Sequence, residues 1–229
     1  SYPASCLVNS ISGEAGRMER LGPLCRKFGA PFILLPLRGG DLPVSAAQRF
    51  KIIDELLAEA ETLGIPRRLI IVDVLALAAS SVSGATRAAL ETVRYCTEEL
   101  KLPTTIGLSN ISFGLPAREL LNSTFLAMAA GAGLSSCIAH PGNERMRDTL
   151  AAANALLEYE RHAEYFSSLY AKGTPATGGA ANSAQSAAAP ASGAAPLRDS
   201  LEEAVIMGRK EDILALVDAA LAAGDEPFA

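Results

Sequence analysis

Polar residues stand at the ends of short apolar segments that recur along the sequence. Asn9, Asp73 and Asn110 each end one of these segments. A carboxylate accepts two hydrogen bonds from an amidine-like N–H edge, and a carboxamide can both donate and accept. Together the three side chains suit a neutral, flat heterocycle that carries donors and acceptors on its rim. Turns and helix caps also favour Asn and Asp, so each residue alone has that simpler interpretation.

The other candidates for chemistry favour no second reaction class. The two histidines and four cysteines lack the spacing of a zinc site or a disulfide framework. The sequence has no Ser-His-Asp order and no phosphate-binding glycine loop. We therefore interpret the cysteines as reduced thiols in a cytoplasmic protein. His140 is interpreted as a hydrogen-bonding residue at the end of the last apolar segment.

Charge and composition exclude two classes of partner. The chain has 229 residues and a net charge of −5, with no basic stripe that could neutralise nucleic-acid phosphates. No apolar run reaches the roughly 18 residues that a membrane span needs, and the N-terminus does not resemble a signal peptide. We expect a protein that binds neither nucleic acid nor membrane. Because the sequence begins without Met and soon enters a strand-like segment, we also expect a piece of a longer chain.

The apolar segments alternate with helical patterns about every 30 residues. Segments of strand length lie at residues 6–9, 31–37, 69–73, 104–110 and 135–140. This alternation predicts an α/β fold with a parallel sheet. Five units fit the C-terminal five of the eight in a TIM-type (β/α)8 barrel, and a doubly wound sheet is the alternative. Ligands bind a barrel at the carboxyl ends of its strands, which is where the polar residues stand.

The clearest helix is predicted over residues 45–63. Ser45 and Gln48 have the spacing of a capping box at its start. Its apolar residues recur at steps of three and four and so share one face, which we expect to be buried. They are Phe50, Ile53, Leu56, Leu57 and Ala60.

Composition divides the chain into three parts. A longer helix predicted over residues 143–171 completes a first domain at residues 1–171. Residues 172–197 are largely Ala, Gly, Ser, Thr and Pro, which is the composition of a flexible linker. Residues 198–229 return to a helical pattern. Two short helices do not make a stable domain alone, so we expect the start of another, all-α module.

Four stretches of the sequence are specific enough to compare with known families: NSISGE at residues 9–14, LIIVD at 69–73, GLSNISFGLPAR at 107–118 and LLNSTFLAM at 120–128. They closely resemble the pterin-binding methyltransferase family, and within it the methyltetrahydrofolate domain of cobalamin-dependent methionine synthase. The segment 201–227 resembles the first helices of the bundle that caps cobalamin in the same enzyme. The resemblance implies part of a pterin-binding barrel, a linker and the start of a cobalamin-cap domain.

The resemblance also implies roles for four residues. Asn9 would bind the edge of the pterin ring, and Asp73 would accept from the pterin 2-amino group and ring N–H. Asn110 would hydrogen-bond near N5, and Arg118 would flank the pterin site. We hypothesise that Asn110, supported by Asp73, stabilises protonated N5 in the transition state, which makes these two the catalytic residues. The family usually has Pro after the strand-end aspartate, where this sequence has Val74.

By the same resemblance, the expected reaction is methyl transfer from 5-methyltetrahydrofolate to cob(I)alamin within methionine synthesis from homocysteine. Cobalamin would be carried by an adjoining module in cis, and zinc would belong to a homocysteine-binding module absent from this chain. The alternatives are a stand-alone methyltetrahydrofolate:corrinoid methyltransferase and a folate-binding fragment that is inert in isolation. Dihydropteroate synthase shares the barrel but lacks the SFGLP block, and therefore ranks lower.

Overall fold

The structure is a computed structural model that describes residues 6–158 and 162–170, together with residues 215, 217–219 and 222. The chain divides into two units, Ser1–Lys172 and Gly173–Ala229. The few described residues of the second unit are helical. The predicted linker at 172–197 lies outside the described residues, and so does most of the all-α module predicted at 198–229.

In the described part of the chain, four parallel strands form a sheet in which each strand pairs with the next one in sequence. Consecutive strands are neighbours around a (β/α)8 barrel, whereas a doubly wound sheet reverses its strand order at a switch point. The order β1-β2-β3-β4 therefore confirms the predicted α/β fold and argues against the doubly wound alternative. The strands are β1 (Val8–Ser12), β2 (Phe32–Leu35), β3 (Ile70–Asp73) and β4 (Thr104–Thr105).

The fifth predicted strand, residues 135–140, lies beside β4 but pairs over a shorter length than predicted. Ile138 N–H donates to the carbonyl oxygen of Ile106 at 2.8 Å, and a parallel bridge joins Ile138 to Gly107. β4 is also shorter than predicted, because a 3-10 turn at Leu108–Ser112 replaces the end of the predicted strand. The position of both segments in the sheet still agrees with a βα repeat.

Helices follow the strands along the chain. The capping box predicted at the start of α2 is present: Ser45 Oγ accepts from the N–H of Gln48 at 3.3 Å, and Gln48 Oε1 accepts from the N–H of Ser45 at 3.0 Å. Leu63 caps the other end, so the helix predicted at 45–63 is confirmed. The α-helices are α1 (Arg17–Phe28), α2 (Ala46–Thr62), α3 (Ala85–Arg94), α4 (Arg118–Gly131), α5 (Glu144–Leu156) and α6 (His162–Tyr170).

The helix predicted over residues 143–171 is divided into α5 and α6. Asn143 caps α5, its Oδ1 accepting from the N–H of Met146 at 3.0 Å, and α5 ends at Leu156. Glu158 then takes a left-handed backbone conformation, with φ of 58°, which interrupts a right-handed helix. The side chain of Leu156, the last residue of α5, is 84% exposed.

The apolar core nearest the site lies between the sheet and helices α1 and α2. Phe32 and Leu34 of β2 and Ile70 and Val72 of β3 are buried together with side chains of these helices. Because side chains alternate between the two faces of a strand, the residues between them point to the opposite face. This opposite face, called the inner face below, carries the candidate site.

The described residues also bear on two kinds of site. Among the helices that the structure describes, none is both long and apolar enough to cross a membrane. Nor do three His, Cys, Asp or Glu side chains of the described residues come together in a group that could hold a metal ion.

Candidate functional site

A bulge in β1 places two polar side chains on the inner face. Asn9 and Ile11 pair with consecutive residues of β2, so Ser10 is an extra residue without a partner. Because side chains alternate along a strand, the extra residue puts Ile11 on the helix side and leaves Asn9 and Ser12 on the inner side. Ile11 is accordingly buried in the core, while Asn9 is exposed. The bulge thus gives β1 a polar inner surface.

Asp73 of β3 shares the inner face with Asn9. Asp73 pairs with Thr105 of β4, and its neighbour Val72 lies in the core on the helix side. Through their partner on β2, Asn9 is level with Ile71. Asn9 therefore stands two residues before Asp73 along the strand direction. This offset along the strand axis is roughly 7 Å, and β2 lies between the two strands. The structure brings these two predicted site residues to one face at different depths.

The Asp73 carboxylate is half-buried and partly engaged by its own turn. Its Oδ1 accepts from the N–H of Leu75 at 2.8 Å, and Leu75 has a left-handed backbone with φ of 61°. Burial raises the pKa of Asp73, while the Leu75 N–H and the positive charge of Arg49 act to lower it. Within the described residues no protein donor bonds to Oδ2, which leaves that oxygen available to a ligand.

Arg49 of α2 is a charged residue that sequence analysis missed. It is fully buried at 0% exposure, and its charge acts on Asp73. Nε donates to the carbonyl oxygen of Pro43 at 3.0 Å, and Nη1 donates to that of Val74 at 3.0 Å. The signal in the sequence was position: Arg49 stands four residues before Ile53 on the buried stripe of α2.

Val74, where the resembled family usually has Pro, takes part in the sheet. Its N–H donates to the carbonyl oxygen of Thr105 at 3.0 Å, and its side chain is buried at 0% exposure. Proline has no N–H and would lose this bond. The Val74 carbonyl is also the acceptor for Arg49. The departure from the family pattern therefore leaves Asp73 in place and adds a hydrogen bond directly after it.

Asn110 lies on the 3-10 turn Leu108–Ser112, shortly after β4. Its side chain is exposed and folds back over Gly107, since a Cβ on Gly107 would lie 3.2 Å from Asn110 Nδ2. The N–H of Asn110 closes the turn by donating to the Gly107 carbonyl oxygen at 3.3 Å. The missing side chain at Gly107 leaves the space in which the Asn110 amide sits.

Arg118, the first residue of α4, ties that turn to the helix. Its Nε donates to Ser112 Oγ at 3.1 Å, and its Nη2 donates to the carbonyl oxygen of Ser109 at 2.9 Å. Ser112 Oγ donates to the same carbonyl oxygen at 3.2 Å. In the described structure the Arg118 guanidinium is thus engaged with the turn that carries Asn110. The flanking contact with the pterin that the resemblance implies stays a prediction.

The loops that follow β3 and β4 are joined to each other. Ser80 Oγ donates to the carbonyl oxygen of Phe113 at 2.7 Å. The N–H of Ala79 donates to the carbonyl oxygen of Ile111 at 3.0 Å. These bonds link the loop that begins after Asp73 to the turn that carries Asn110. The segments that carry the two predicted catalytic residues are therefore hydrogen-bonded to each other.

Two further polar residues near strand ends are engaged by the protein itself. Arg38, after β2, forms ion pairs with Glu59 and, at 3.6 Å, with Glu55. His140 Nδ1 accepts from the N–H of Gly142 at 2.9 Å, which agrees with the hydrogen-bonding interpretation of this residue.

The candidate site therefore combines three chemical elements. Asp73 offers an open carboxylate oxygen, Asn9 and Asn110 offer exposed amides, and the buried Arg49 of α2 supplies a positive charge that acts on the carboxylate. A flat ring with an N–H edge can bind Asp73 through charge-assisted hydrogen bonds. The amides can then contact polar atoms elsewhere on the ring.

The family model described as pterin binding enzyme matches residues 3–140, more than half of this chain. Among solved structures, a dihydropteroate synthase from Xanthomonas albilineans in complex with 7,8-dihydropteroate aligns with a TM-score of 0.49 at 19% identity, covering 67% of this chain and 61% of that one.

Curated relatives include methyltransferases. A methylcorrinoid:tetrahydrofolate methyltransferase from Eubacterium limosum is 28% identical over 172 residues, which cover 73% of this chain and 63% of that protein. The methionine synthase of Mycobacterium tuberculosis is 32% identical over 148 residues, or 59% of this chain and 12% of that protein. That of Mycobacterium leprae is 28% identical over 181 residues, or 72% and 15%. The chain thus spans less than two thirds of each relative's length.

Proposed function

The chain belongs to the family of pterin-binding enzymes, and we propose that it binds a tetrahydrofolate and supports methyl transfer between N5 of that folate and a corrinoid. The proposal joins the family to two sets of relatives whose names contain methyl transfer or methionine synthesis. It places the pterin ring on the inner face, with its 2-amino and ring N–H edge toward Asp73.

The state of Asp73 carries this proposal. A half-buried carboxylate with one open oxygen costs free energy unless a ligand or a neighbour compensates it. The pterin edge supplies two parallel N–H donors, which is the arrangement that a carboxylate binds best. Asn9 lies on the same face and can contact a second part of the ring edge. Binding of the pterin would thus offset the desolvation cost of the Asp73 carboxylate, whose burial raises its pKa.

Asn110 is proposed to act at N5. When the N5–methyl bond breaks, its electron pair remains on N5, and a proton or a hydrogen-bond donor at N5 stabilises that charge distribution. The exposed Asn110 amide can hydrogen-bond at this nitrogen, and such a contact assists the reaction when it is stronger in the transition state than in the ground state. Asp73 would fix the opposite end of the ring, so that N5 stays in place.

The Asn110 side of the site can admit a large partner. Asn110 is exposed, and Phe113 on the same loop is 66% exposed. A corrinoid bound to an adjoining module in cis would supply the cobalt centre that exchanges the methyl group. In the methionine synthase form of the proposal, cob(I)alamin accepts the methyl group first and homocysteine is the final methyl acceptor. Zinc would then lie on another module. Transfer to a separate corrinoid protein, as in a stand-alone methyltransferase, is the second form, favoured by the match over 73% of this chain.

The test uses the whole 229-residue chain. Calorimetric titration with tetrahydrofolate and 5-methyltetrahydrofolate measures binding, and single-turnover absorbance with cob(I)alamin measures transfer. The Asp73→Asn variant should lose at least about tenfold in folate affinity, because one charged hydrogen-bond partner is removed. Glu91→Gln makes the same chemical change on the exposed surface of α3 and should bind like the parent chain.

Three results separate the possibilities. Binding together with transfer supports the proposal. Binding without transfer, even with cobalamin in excess, supports the folate-binding fragment that is inert in isolation. Equal folate affinity of the parent chain, the Asp73 variant and the Glu91 variant would overturn the assignment of the inner face as the pterin site.

A further inference from the structure

The Arg49 side chain joins two backbone segments, one before α2 and one after β3. Its Nε bonds to the carbonyl oxygen of Pro43, which precedes the helix, and its Nη1 bonds to that of Val74, directly after Asp73. The side chain thereby connects the β2–α2 loop to the end of β3. Asp73 Oδ1 binds the next N–H along, that of Leu75. The three-residue turn that begins at Asp73 is therefore held both by the carboxylate and by the guanidinium.

One nitrogen of Arg49 is left without a partner. Nη2 is buried and forms no hydrogen bond among the described residues. Burial lowers the pKa of Arg49 to about 10, so the guanidinium still carries its charge at neutral pH. A buried charge with an unmade hydrogen bond is costly, and it is retained where an opposite charge or a function compensates it. Asp73 is the charged group that acts on Arg49, and Arg49 is the charged group that acts on Asp73.

We infer that Arg49 is a positioning residue for the pterin site: it fixes the turn after β3 through the Val74 carbonyl and supplies a positive charge that favours the ionised form of the half-buried Asp73 carboxylate. This inference rests on the proposed function for its ligand, though not for its electrostatics. An ionised Asp73 accepts both N–H groups of the pterin edge, whereas a protonated one offers a donor where an acceptor is needed. Arg49 acts on the ligand only through Asp73.

Three arginine variants of the full chain separate charge from backbone support. Arg49→Met removes the charge and keeps a long apolar side chain. Arg49→Lys keeps the charge and loses the two-point hydrogen bonding, because an ammonium lacks the planar fork. Arg68→Met removes an exposed charge from the turn directly before β3 and is the matched control. Circular dichroism and chemical unfolding establish that each variant is folded before binding is measured.

The readout is tetrahydrofolate affinity from pH 5.5 to 8.5. Without the neighbouring positive charge, Asp73 holds its proton to higher pH. The Arg49→Met variant should therefore bind at least about tenfold more weakly than the parent chain at the acidic end and recover as the pH rises. Arg49→Lys should follow the pH profile of the parent chain with a uniform loss of affinity. Arg68→Met should match the parent chain throughout.

A second readout needs no ligand. The carbon-13 shift of the Asp73 carboxyl group, followed by NMR against pH, should move to a higher titration midpoint in Arg49→Met and stay near the parent value in Arg49→Lys. An unchanged midpoint in Arg49→Met overturns the inference, whether or not folate binds. If the midpoint moves and the parent chain binds no folate, the inference about Asp73 ionisation holds and the proposed function fails. Equal loss of affinity at every pH in Arg49→Met would reduce Arg49 to a structural residue.

Discussion

Arg118 Nη2 donates to the carbonyl oxygen of Ser109 at 2.9 Å, which fastens the first residue of α4 to the turn beside Asn110. The hydroxyl of Ser112 completes a small network by accepting from Arg118 and donating to the same carbonyl oxygen. An Arg side chain is suited to this role because its planar fork can serve two acceptors at once. The position of Asn110 therefore depends on α4 as well as on β4.

Arg118→Met should disturb methyl transfer more than folding. The variant frees the Ser109 carbonyl and lets the turn move, so the single-turnover rate should fall by about tenfold to a hundredfold. The free energy of unfolding should fall by only about 1 kcal/mol, since the contact is partly exposed. Rapid-mixing absorbance and urea unfolding measure the two quantities. The control is Arg94→Met, which removes an exposed arginine of α3; equal rates in the two variants would contradict the positioning role.

Asn110→Ala should separate chemistry from binding. If the amide acts mainly on N5 in the transition state, the single-turnover rate should fall by about a hundredfold or more. Affinity for 5-methyltetrahydrofolate should change much less, because Asp73 and Asn9 still hold the ring. Calorimetry gives the affinity and rapid mixing gives the rate. A loss of equal size in both would show that Asn110 only binds the substrate.

Gly107→Ala tests the same side chain without removing it. The backbone at Gly107 has φ of −76°, which alanine adopts readily, but the new Cβ would lie 3.2 Å from Asn110 Nδ2. The amide must move, so the rate of transfer should fall while the chain stays folded. Gly131→Ala is the matched control, because a Cβ there meets no atom within 4 Å. A rate in Gly107→Ala equal to that of Gly131→Ala would mean that the amide position is unimportant.

The sequence predicted best where local chemistry decides the structure. The capping box at Ser45 and the apolar stripe that follows it determine α2, and both are present as predicted. Arg49 escaped prediction because a charged residue at the start of a helix is usually solvated. Its position on the stripe could have revealed it, but its two carbonyl partners come from separate loops and only the fold brings them together.

The segments after the strands were harder to predict. The apolar residues before Asn110 favour a strand, yet β4 ends at Thr105 and, after the bridge between Gly107 and Ile138, the chain turns at Leu108. Ser112 Oγ donates to the Ser109 carbonyl, a local side-chain bond that competes with strand pairing. Arg118 reinforces the turn by donating to the same carbonyl, nine residues before it. Periodicity cannot report such contacts. The bulge at Ser10 was equally hidden, because it depends on pairing with β2.

Asn9→Ala should weaken folate binding with little effect on folding. Asn9 faces the inner side and is exposed, so the truncation removes a ligand contact and leaves no cavity in the core. Affinity should fall by about tenfold, the value of a typical hydrogen bond in a binding site. Ser10→Ala, at the unpaired residue of the bulge, is the control and should keep most of the affinity. The idea fails if the Ser10 variant loses as much as the Asn9 variant.

Asp73→Asn should remove one pH-dependent contribution to the free energy of unfolding. Burial raises the pKa of Asp73 in the folded chain above its value in the unfolded chain. Between the two values the native state binds more protons, so the Asp73 contribution is fully present below the unfolded value, near pH 4, and is lost as pH rises through the folded value. Asparagine does not titrate but can still accept from Leu75. The free energy of unfolding of Asp73→Asn, relative to the parent chain, should therefore increase from pH 4 toward neutrality and then level off. Urea unfolding across this range measures it, with Glu91→Gln alongside; a relative stability that falls as pH rises would mean that Arg49 and Leu75 outweigh burial at Asp73.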